Sequence, residues 1–288
     1  MILVTGATGQ LGRATIDFLL KKVPANEISA LVRNENKALD LKEKGIDIRV
    51  GNYHDYESLV KAFAGVEKLL LVSSSDFNDR LQQQLNAVNA AKEAGVKYIA
   101  YTSFGLKSLE NSAIQFVIDD HFKTAEKIKK SGLKYTLLDN TLYSDVLPMF
   151  LGHNVLETGV FLPAGDGKAP FATRLDMAEA TANVLIDSVS HENKEYLISS
   201  NRLYSISDVA TYLSELSGKT INYIDADEKV FVETLTKVGV PQEYVGLTAS
   251  FATAIKNKEF ELYDNTLATL LGREETSLKD YLKSAFFS

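Results

Sequence analysis

Three glycines near the start of the chain are spaced for binding a phosphate group. Gly6, Gly9 and Gly12 form a GxxGxxG motif directly after the apolar run 2–5. Gly6 allows a tight turn, Gly9 lets the backbone approach phosphates, and Gly12 lets a helix pack closely on a sheet. Apolar residues then recur at helical spacing, so the motif predicts a dinucleotide whose pyrophosphate lies on a helix N-terminus. Some strand–turn–helix units with such glycines bind no ligand, and that alternative stays open here.

A basic residue ends the second apolar segment, where NAD-binding proteins typically carry an acid. Arg33 occupies this position, and Lys37 follows one helical turn later. A carboxylate there would repel a 2′-phosphate, whereas a guanidinium binds one in bidentate fashion. The pair therefore predicts NADPH rather than NADH. The alternative is an ordinary surface arginine on a loop.

Alternating strand-like and helix-like segments in the first half must position these residues. Strands are predicted at residues 2–5, 28–33, 46–51, 68–73, 98–103 and 135–138. Helices are predicted at residues 13–22, 36–44, 55–64, 78–94 and 121–130. This alternation predicts the α/β class, a doubly wound parallel sheet of the Rossmann type with ligands at the carboxyl ends of the strands.

The second half is less regular. Helices are predicted at residues 140–151 and 176–188, and strands at 159–164, 195–199 and 220–224. Ser205 and Asp208 resemble a capping box that opens a helix ending at Leu216. We expect an NADP-binding Rossmann domain over residues 1–140 plus 169–199. A smaller, mostly helical C-terminal lobe, over residues 141–168 plus 200–288, should bind the substrate.

Composition limits the classes of function. The 288 residues are 45% hydrophobic, enough for a sizeable core, and the net charge of −7 argues against a nucleic-acid partner. No apolar run approaches a membrane span and no basic leader is visible, so we expect a cytoplasmic protein without a membrane partner. There is no cysteine, and the histidines are scattered, so metal catalysis is not expected. The histidines are His54, His121, His153 and His191.

An ordered set of motifs resembles the NmrA-like atypical short-chain dehydrogenase/reductases. They include VTGATGQLG at 4–12, LVRN at 31–34, VEKLLLVSSS at 66–75 and YIAYTS at 98–103. Further segments at 131–140, 164–168, 172–174, 217–219 and 271–273 extend the likeness over nearly the whole chain. Within the family, the chain is most similar to the bacterial NADPH:quinone oxidoreductases of type 2, with triphenylmethane reductases as relatives. The resemblance implies a flavin-free enzyme that uses NADPH to reduce a quinone.

The resemblance also implies roles for individual residues. The pyrophosphate should meet Gly6, Thr8, Gly9, Gln10 and Leu11, and the 2′-phosphate should meet Arg33. The ribose or nicotinamide should lie near Ser73 and Ser74, and the reacting ring near Thr102 and Ser103. The substrate pocket should be bordered by Asn140 and Tyr143. Asp139 departs from the pattern, which has a basic residue there, and so does Ala125, which replaces a glutamate.

The acid–base pair of most short-chain dehydrogenases is absent. None of the 13 tyrosines has a lysine four residues further on. On the corresponding helix, Val117 replaces the tyrosine and His121 the lysine. Protonating an alkoxide is difficult without such an acid. A quinone accepts hydride more easily, because the charge delocalises into a hydroquinone anion, so it needs mainly proximity and orientation.

Three side chains are candidates for the hydrogen-bond donor to a quinone oxygen. They are His121, Tyr143 and Ser103, and each can equally be a structural residue. The missing pair also fits a second class of protein, a regulator that binds NADP(H) without turnover. A third possibility is the reduction of a dye or another conjugated acceptor. A homodimer is left open.

Overall fold

A computed structural model describes residues 1–152 and 154–287, so His153 lies outside the described residues. Its centre is a seven-stranded parallel sheet. The strands are β1 Ile2–Val4, β2 Ile28–Val32, β3 Asp47–Val50, β4 Lys68–Leu71, β5 Tyr98–Phe104, β6 Lys134–Asn140 and β9 Lys194–Ile198. Their order in the sheet is β3-β2-β1-β4-β5-β6-β9. The order reverses between β1 and β4, which makes the crevice there the expected ligand site. The predicted fold class is confirmed.

Helices cover both faces of the sheet. One face packs against α1 Gln10–Leu19, α2 Leu39–Glu43, α8 Arg174–Ile186 and α12 Thr266–Leu271. The other face packs against α3 Tyr56–Phe63, α4 Arg80–Glu93 and α5 Gln115–Lys129. The central strands are apolar and buried; β1 and β2 are buried at every position. This is the composition that a parallel sheet covered on both sides requires.

A further apolar cluster lies beyond the carboxyl ends of the strands. It contains the start of α5 and side chains from the second half of the chain, such as Phe150, Phe231 and Phe260. Its helices are α6 Leu147–Leu151, α7 Val155–Thr158, α9 Ile206–Ser217, α10 Glu228–Lys237, α11 Gln242–Lys256 and α13 Leu278–Phe287. Two small sheets pair β7 Val160–Phe161 with β11 Tyr223–Ile224, and β8 Lys168–Ala169 with β10 Tyr204–Ser205. This cluster closes the cleft over the strand ends.

A local signal predicted the start of α9 correctly. The Ser205 hydroxyl accepts a hydrogen bond from the Asp208 backbone N–H at 3.1 Å, and the Asp208 carboxylate accepts from the Ser205 N–H at 2.8 Å. The capping box that opens α9 is therefore confirmed. None of the helices in the described ranges is long and apolar enough to span a bilayer.

Other predicted boundaries were wrong. Residues 140–143 are not helical: β6 continues through Asn140 because it pairs with β5 on one side and β9 on the other. The helix predicted at 140–151 is reduced to α6 and a short 3₁₀ turn before it. Helix α5 begins at Gln115 rather than at residue 121, because Val117 and Ile118 pack in the cluster above the strand ends.

Candidate active site

One cleft of about 870 Å³ opens at the carboxyl ends of the central strands. It runs from the glycine loop to the apolar cluster above the sheet. All but one of the predicted site residues line it: Gly6, Thr8, Gly9, Gln10, Leu11, Gly12, Arg33, Ser73, Ser74, Thr102, Ser103, His121, Asn140 and Tyr143. Lys37 is exposed and is not among the lining residues. The sheet therefore brings together side chains that are far apart in the sequence.

Backbone geometry requires glycine at two positions of the glycine loop. Gly6 has a φ of +59°, a conformation that costs glycine little. A Cβ on Gly12 would lie 2.4 Å from the Gly6 carbonyl oxygen, so only glycine lets α1 start this close to the loop. Gly9, at the helix N-cap, contributes no capping side chain, and the first turn of α1 holds no acid. The N-terminus of α1 thus presents N–H groups and a positive dipole to the cleft.

Arg33 follows the last residue of β2 and reaches the cleft from its exposed rim. Within residues 1–152 and 154–287, Arg33 takes part in no ion pair. A hydrogen bond from the Asn78 backbone N–H and, to a smaller degree, the charge of Arg33 lower the pKa of Asp76, which also lines the cleft, without a direct ion pair to Arg33. An arginine that is free of a direct ion pair at the end of the second strand fits a 2′-phosphate. The residues present thus fit a dinucleotide with such a phosphate.

Buried hydroxyl groups tie the strand ends together beneath the cleft. The Tyr53 hydroxyl donates to Thr5 Oγ1 at 2.6 Å and contacts the Val72 carbonyl oxygen at 2.9 Å. Thr102 Oγ1 accepts from the Ser73 backbone N–H at 2.8 Å. These bonds hold the ends of β1, β4 and β5 in a fixed relation. The Thr102 hydroxyl oxygen is therefore already engaged by a hydrogen bond within the protein.

His121 lies in the middle of α5 and is only 6% exposed. Its Nδ1 is 3.3 Å from the Tyr101 hydroxyl, and its ring centroid is 5.6 Å from that of Phe104. Burial, together with the charge of Arg80, lowers the pKa of His121 to about 3. The imidazole is consequently neutral near pH 7 and carries a single N–H. Because Nδ1 contacts the Tyr101 hydroxyl, the tautomer that donates to a ligand is the one with its proton on Nε2.

Tyr143 follows β6 and is hydrogen-bonded to Asn140, whose Nδ2 lies 3.1 Å from the Tyr143 hydroxyl. Burial raises the pKa of Tyr143, so the phenol keeps its proton at neutral pH. Asn140 Oδ1 is buried and has no hydrogen-bond partner within the described part of the chain. Buried polar atoms normally have partners. The cleft therefore offers an unused acceptor beside a phenol that can donate.

Ser103 stands directly opposite Asp139 in the register of β5 and β6. Burial, followed by the charge of Glu195, raises the pKa of Asp139 to about 7. Ser103 Oγ is buried and has no hydrogen-bond partner within the described residues. Glu195 in turn pairs with Lys129 at 2.9 Å. The departure noted at Asp139 in the sequence therefore places a carboxyl with a raised pKa on the strand next to Ser103.

The upper part of the cleft is apolar. Its walls are formed by Phe104 and Val117 from β5 and α5, and by residues of α6 and α11. The latter are Met149, Phe150, Leu247 and Phe251. Aromatic and aliphatic walls of this kind suit a flat, uncharged ring.

Two arginines of the cleft carry no predicted role. Arg80 is buried, donates to the Val117 carbonyl oxygen and pairs with Asp120 at 3.3 Å. Arg174 opens α8 and lies with its Cζ 4.7 Å from the centroid of the Tyr143 ring. Arg174 belongs to the segment 172–174 noted in the sequence, but neither arginine was assigned a role there, because their partners lie on other elements. No group of three or more potential metal ligands occurs in residues 1–152 and 154–287.

The parallel sheet, the glycine loop and the cleft at the strand ends define a dinucleotide-binding α/β protein of the Rossmann type. The chain belongs to the NmrA-like family, whose pattern matches residues 1–283.

Individual relatives cover the whole chain. Quinone oxidoreductase 2 of Escherichia coli is 40% identical over 289 residues, which is 99% of this chain and 99% of the relative. The crystal structure of a Citrobacter triphenylmethane reductase complexed with NADP(H) matches with a TM-score of 0.92 and 38% identity, covering 99% and 100% of the two chains. The NADPH complex of Escherichia coli quinone oxidoreductase QOR2 matches with a TM-score of 0.90 and 38% identity over the same shares.

Proposed function

We propose that the protein is an NADPH-dependent quinone reductase that transfers hydride directly to its acceptor without flavin. The observation that carries the proposal is the continuity of the cleft, which joins the glycine loop and Arg33 to an apolar chamber. A relative that is 40% identical over its full length is a quinone oxidoreductase, which supports the same activity. The division into an NADP-binding domain and a substrate-binding lobe stays part of this proposal.

The residues of the cleft can hold NADPH in a defined orientation. The N-terminus of α1 would bind the pyrophosphate and Arg33 the 2′-phosphate. The unpartnered Asn140 Oδ1 offers an acceptor for an amide N–H, such as the carboxamide of a nicotinamide. NADPH, once bound, supplies the hydride. The contact of Lys37 with the cofactor stays a prediction, because Lys37 does not line the cleft.

The acceptor needs orientation and one or two hydrogen-bond donors rather than a strong acid. The apolar walls would exclude water and hold a flat ring against the cofactor site. Neutral His121 and the protonated Tyr143 phenol can each donate a hydrogen bond to a quinone oxygen as negative charge develops there. The proton that completes the hydroquinone comes from solvent or from a nearby acid.

A second candidate activity is the reduction of a conjugated dye. It is favoured by the likeness to the Citrobacter triphenylmethane reductase and by the apolar walls of the chamber. The same chamber and the same hydride donor would serve both acceptors. The two activities differ in which flat, electron-poor ring fits best.

Steady-state turnover tests the proposal. Flavin-free protein should oxidise NADPH in the presence of small benzoquinones or naphthoquinones, and a triphenylmethane dye should be tested in parallel. Micromolar NADPH binding without turnover of any acceptor would instead support the regulator that binds NADP(H). The cytoplasmic location, the homodimer and the lack of a nucleic-acid partner stay predictions.

A further inference from the structure

Arg174 brings a positive charge to the start of the glycine-loop helix. It is the first residue of α8, and its Nη1 donates to Oε1 of Gln10, the first residue of α1. Both residues line the cleft, and the Arg174 side chain is only 19% exposed. The guanidinium therefore lies beside the helix N-terminus where a pyrophosphate would be bound.

The orientation of the Arg174 side chain is fixed from two sides. Its Cζ lies 4.7 Å from the centroid of the Tyr143 ring, within cation–π distance. Its Nη1 lies 3.2 Å from Asp145 Oδ1, and its backbone N–H donates to Asp145 Oδ2 at 2.9 Å. A guanidinium held in this way loses little freedom when it binds an anion.

Arg174 can supply the positive charge that a bound pyrophosphate requires beyond that of the helix N-terminus. A pyrophosphate carries two negative charges, and a helix N-terminus offers only about half a positive charge. Arg33 stands at the end of β2 and suits the 2′-phosphate. Arg80 is only 3% exposed and is held by a backbone carbonyl and by Asp120. Arg174 also pairs with Asp145, but it is more exposed, at 19%, and lies beside the start of α1. On the basis of the NADPH site in the proposed function, we propose that Arg174 directly binds the pyrophosphate.

A comparison of ligands can separate the two phosphate sites. Dissociation constants for NADPH, NADH and 2′-AMP should be measured by calorimetry or competition for wild type, Arg174→Gln and Arg33→Ala. Arg174→Gln should weaken NADPH and NADH alike, by roughly tenfold to a hundredfold, because both carry the pyrophosphate. It should leave 2′-AMP, which has none, nearly unchanged. Arg33→Ala should weaken NADPH and 2′-AMP and spare NADH.

Asp145→Asn is the matched control, because it breaks the ion pair of Arg174 without removing the guanidinium. If Arg174 only anchors Asp145, both variants will weaken NADPH equally, and the proposal is overturned. If Arg174 binds the pyrophosphate, Asp145→Asn will keep or tighten NADPH binding. Arg174→Lys, which retains the charge but not the planar fork, should show a several-fold loss and serves if Arg174→Gln does not fold.

Two failures are distinguishable. Wild-type protein that binds NADPH and reduces quinones, with unchanged dinucleotide affinity in Arg174→Gln, overturns only the role of Arg174. Wild-type protein that binds no NADPH overturns the proposed function together with this inference.

Discussion

The two halves of the cleft are built in different ways. The nucleotide half consists mainly of backbone at the ends of adjacent strands. Gly6 and Arg33 lie in short loops after β1 and β2, and Gly12 lies in the first turn of α1. The acceptor half consists of side chains such as Val117, Phe150 and Phe251 from helices far apart in the chain. Backbone geometry tolerates little variation, whereas an apolar wall can be reshaped by substitution. The relatives fit this difference: one is a quinone oxidoreductase and another a triphenylmethane reductase, and both were crystallised with NADP(H) or NADPH.

The largest effect should come from the backbone of the nucleotide half. In Gly12→Ala, the new Cβ would lie 2.4 Å from the Gly6 carbonyl oxygen, and neither backbone segment can move away freely. We expect loss of measurable NADPH binding, together with destabilisation of roughly 1–3 kcal/mol. Calorimetric titration and thermal unfolding measure the two effects.

Gly246→Ala is the control for this variant. Gly246 lies in α11, and a Cβ there would meet nothing within 4 Å. Alanine in a helix interior should leave NADPH binding intact and raise stability slightly. Normal NADPH affinity in Gly12→Ala would contradict the close approach that defines this half.

The next largest effect should separate the two cofactors. Arg33→Ala should weaken NADPH by roughly tenfold to a hundredfold, the cost of losing a charge-assisted contact, and barely change NADH. Fluorescence titration of both nucleotides measures the ratio. Lys37→Ala, on the exposed side of the same loop, is the matched control. Equal weakening of NADPH and NADH by Arg33→Ala would show that the arginine does not recognise the 2′-phosphate.

A smaller effect is expected in the acceptor half. His121→Ala should lower the turnover number with a quinone about tenfold, the value of one hydrogen bond to developing charge, while NADPH affinity stays almost unchanged. Because burial lowers the pKa of His121 to about 3, the pH profile of kcat should show no His121 inflection between pH 5 and 8. His191→Ala, at a position outside the cleft, is the control.

An unaltered turnover number in His121→Ala would make His121 a packing residue between Tyr101 and Phe104. An inflection near pH 6.5 that disappears in the variant would instead show a protonated imidazole acting as an acid.

A separate effect concerns stability rather than activity. The pKa of Asp139 is raised to about 7, so between about pH 4 and 7 the folded protein holds a proton that the unfolded chain has released. The stability contributed by protonated Asp139 is present below this range and is lost as the pH rises through it. Asp139→Asn does not titrate. Its free energy of unfolding relative to wild type should therefore increase by on the order of 1–3 kcal/mol across the range and then level off.

Urea unfolding at several pH values measures this difference. Asp166→Asn, whose carboxylate is 87% exposed, is the control for removing a charge without burial. A difference between Asp139→Asn and wild type that stays constant with pH would show that Asp139 is ionised throughout.

The nucleotide half could be predicted from the sequence because its sequence motifs are local. The glycine spacing and the arginine after β2 depend on a few consecutive residues and on the rule that parallel strands end at one edge. All fourteen predicted residues other than Lys37 reached the cleft for this reason. Lys37 fails to do so because residues 35–38 form a 3₁₀ turn that leaves it exposed.

The rest depends on contacts between distant segments. Arg174 gains its place from Gln10, which is 164 residues earlier, and Arg80 from Val117. The acid beside Ser103 is defined only by the register of β5 and β6. The start of α5 was missed for a similar reason, because its first turns are stabilised by packing against the second half of the chain. The hydrophobic periodicity of a single segment contains no information about contacts with distant segments.

The central claim is that NADPH, bound in the nucleotide half, reduces a flat acceptor in the other half. A single-turnover experiment tests it most directly: flavin-free protein loaded with one equivalent of NADPH is mixed with a small quinone. We predict that NADPH and quinone are consumed one for one with uptake of one proton, giving NADP⁺ and hydroquinone. The step should be slower when the transferred hydrogen of NADPH is deuterium. Bound NADPH that persists in the presence of every quinone tested would contradict the account.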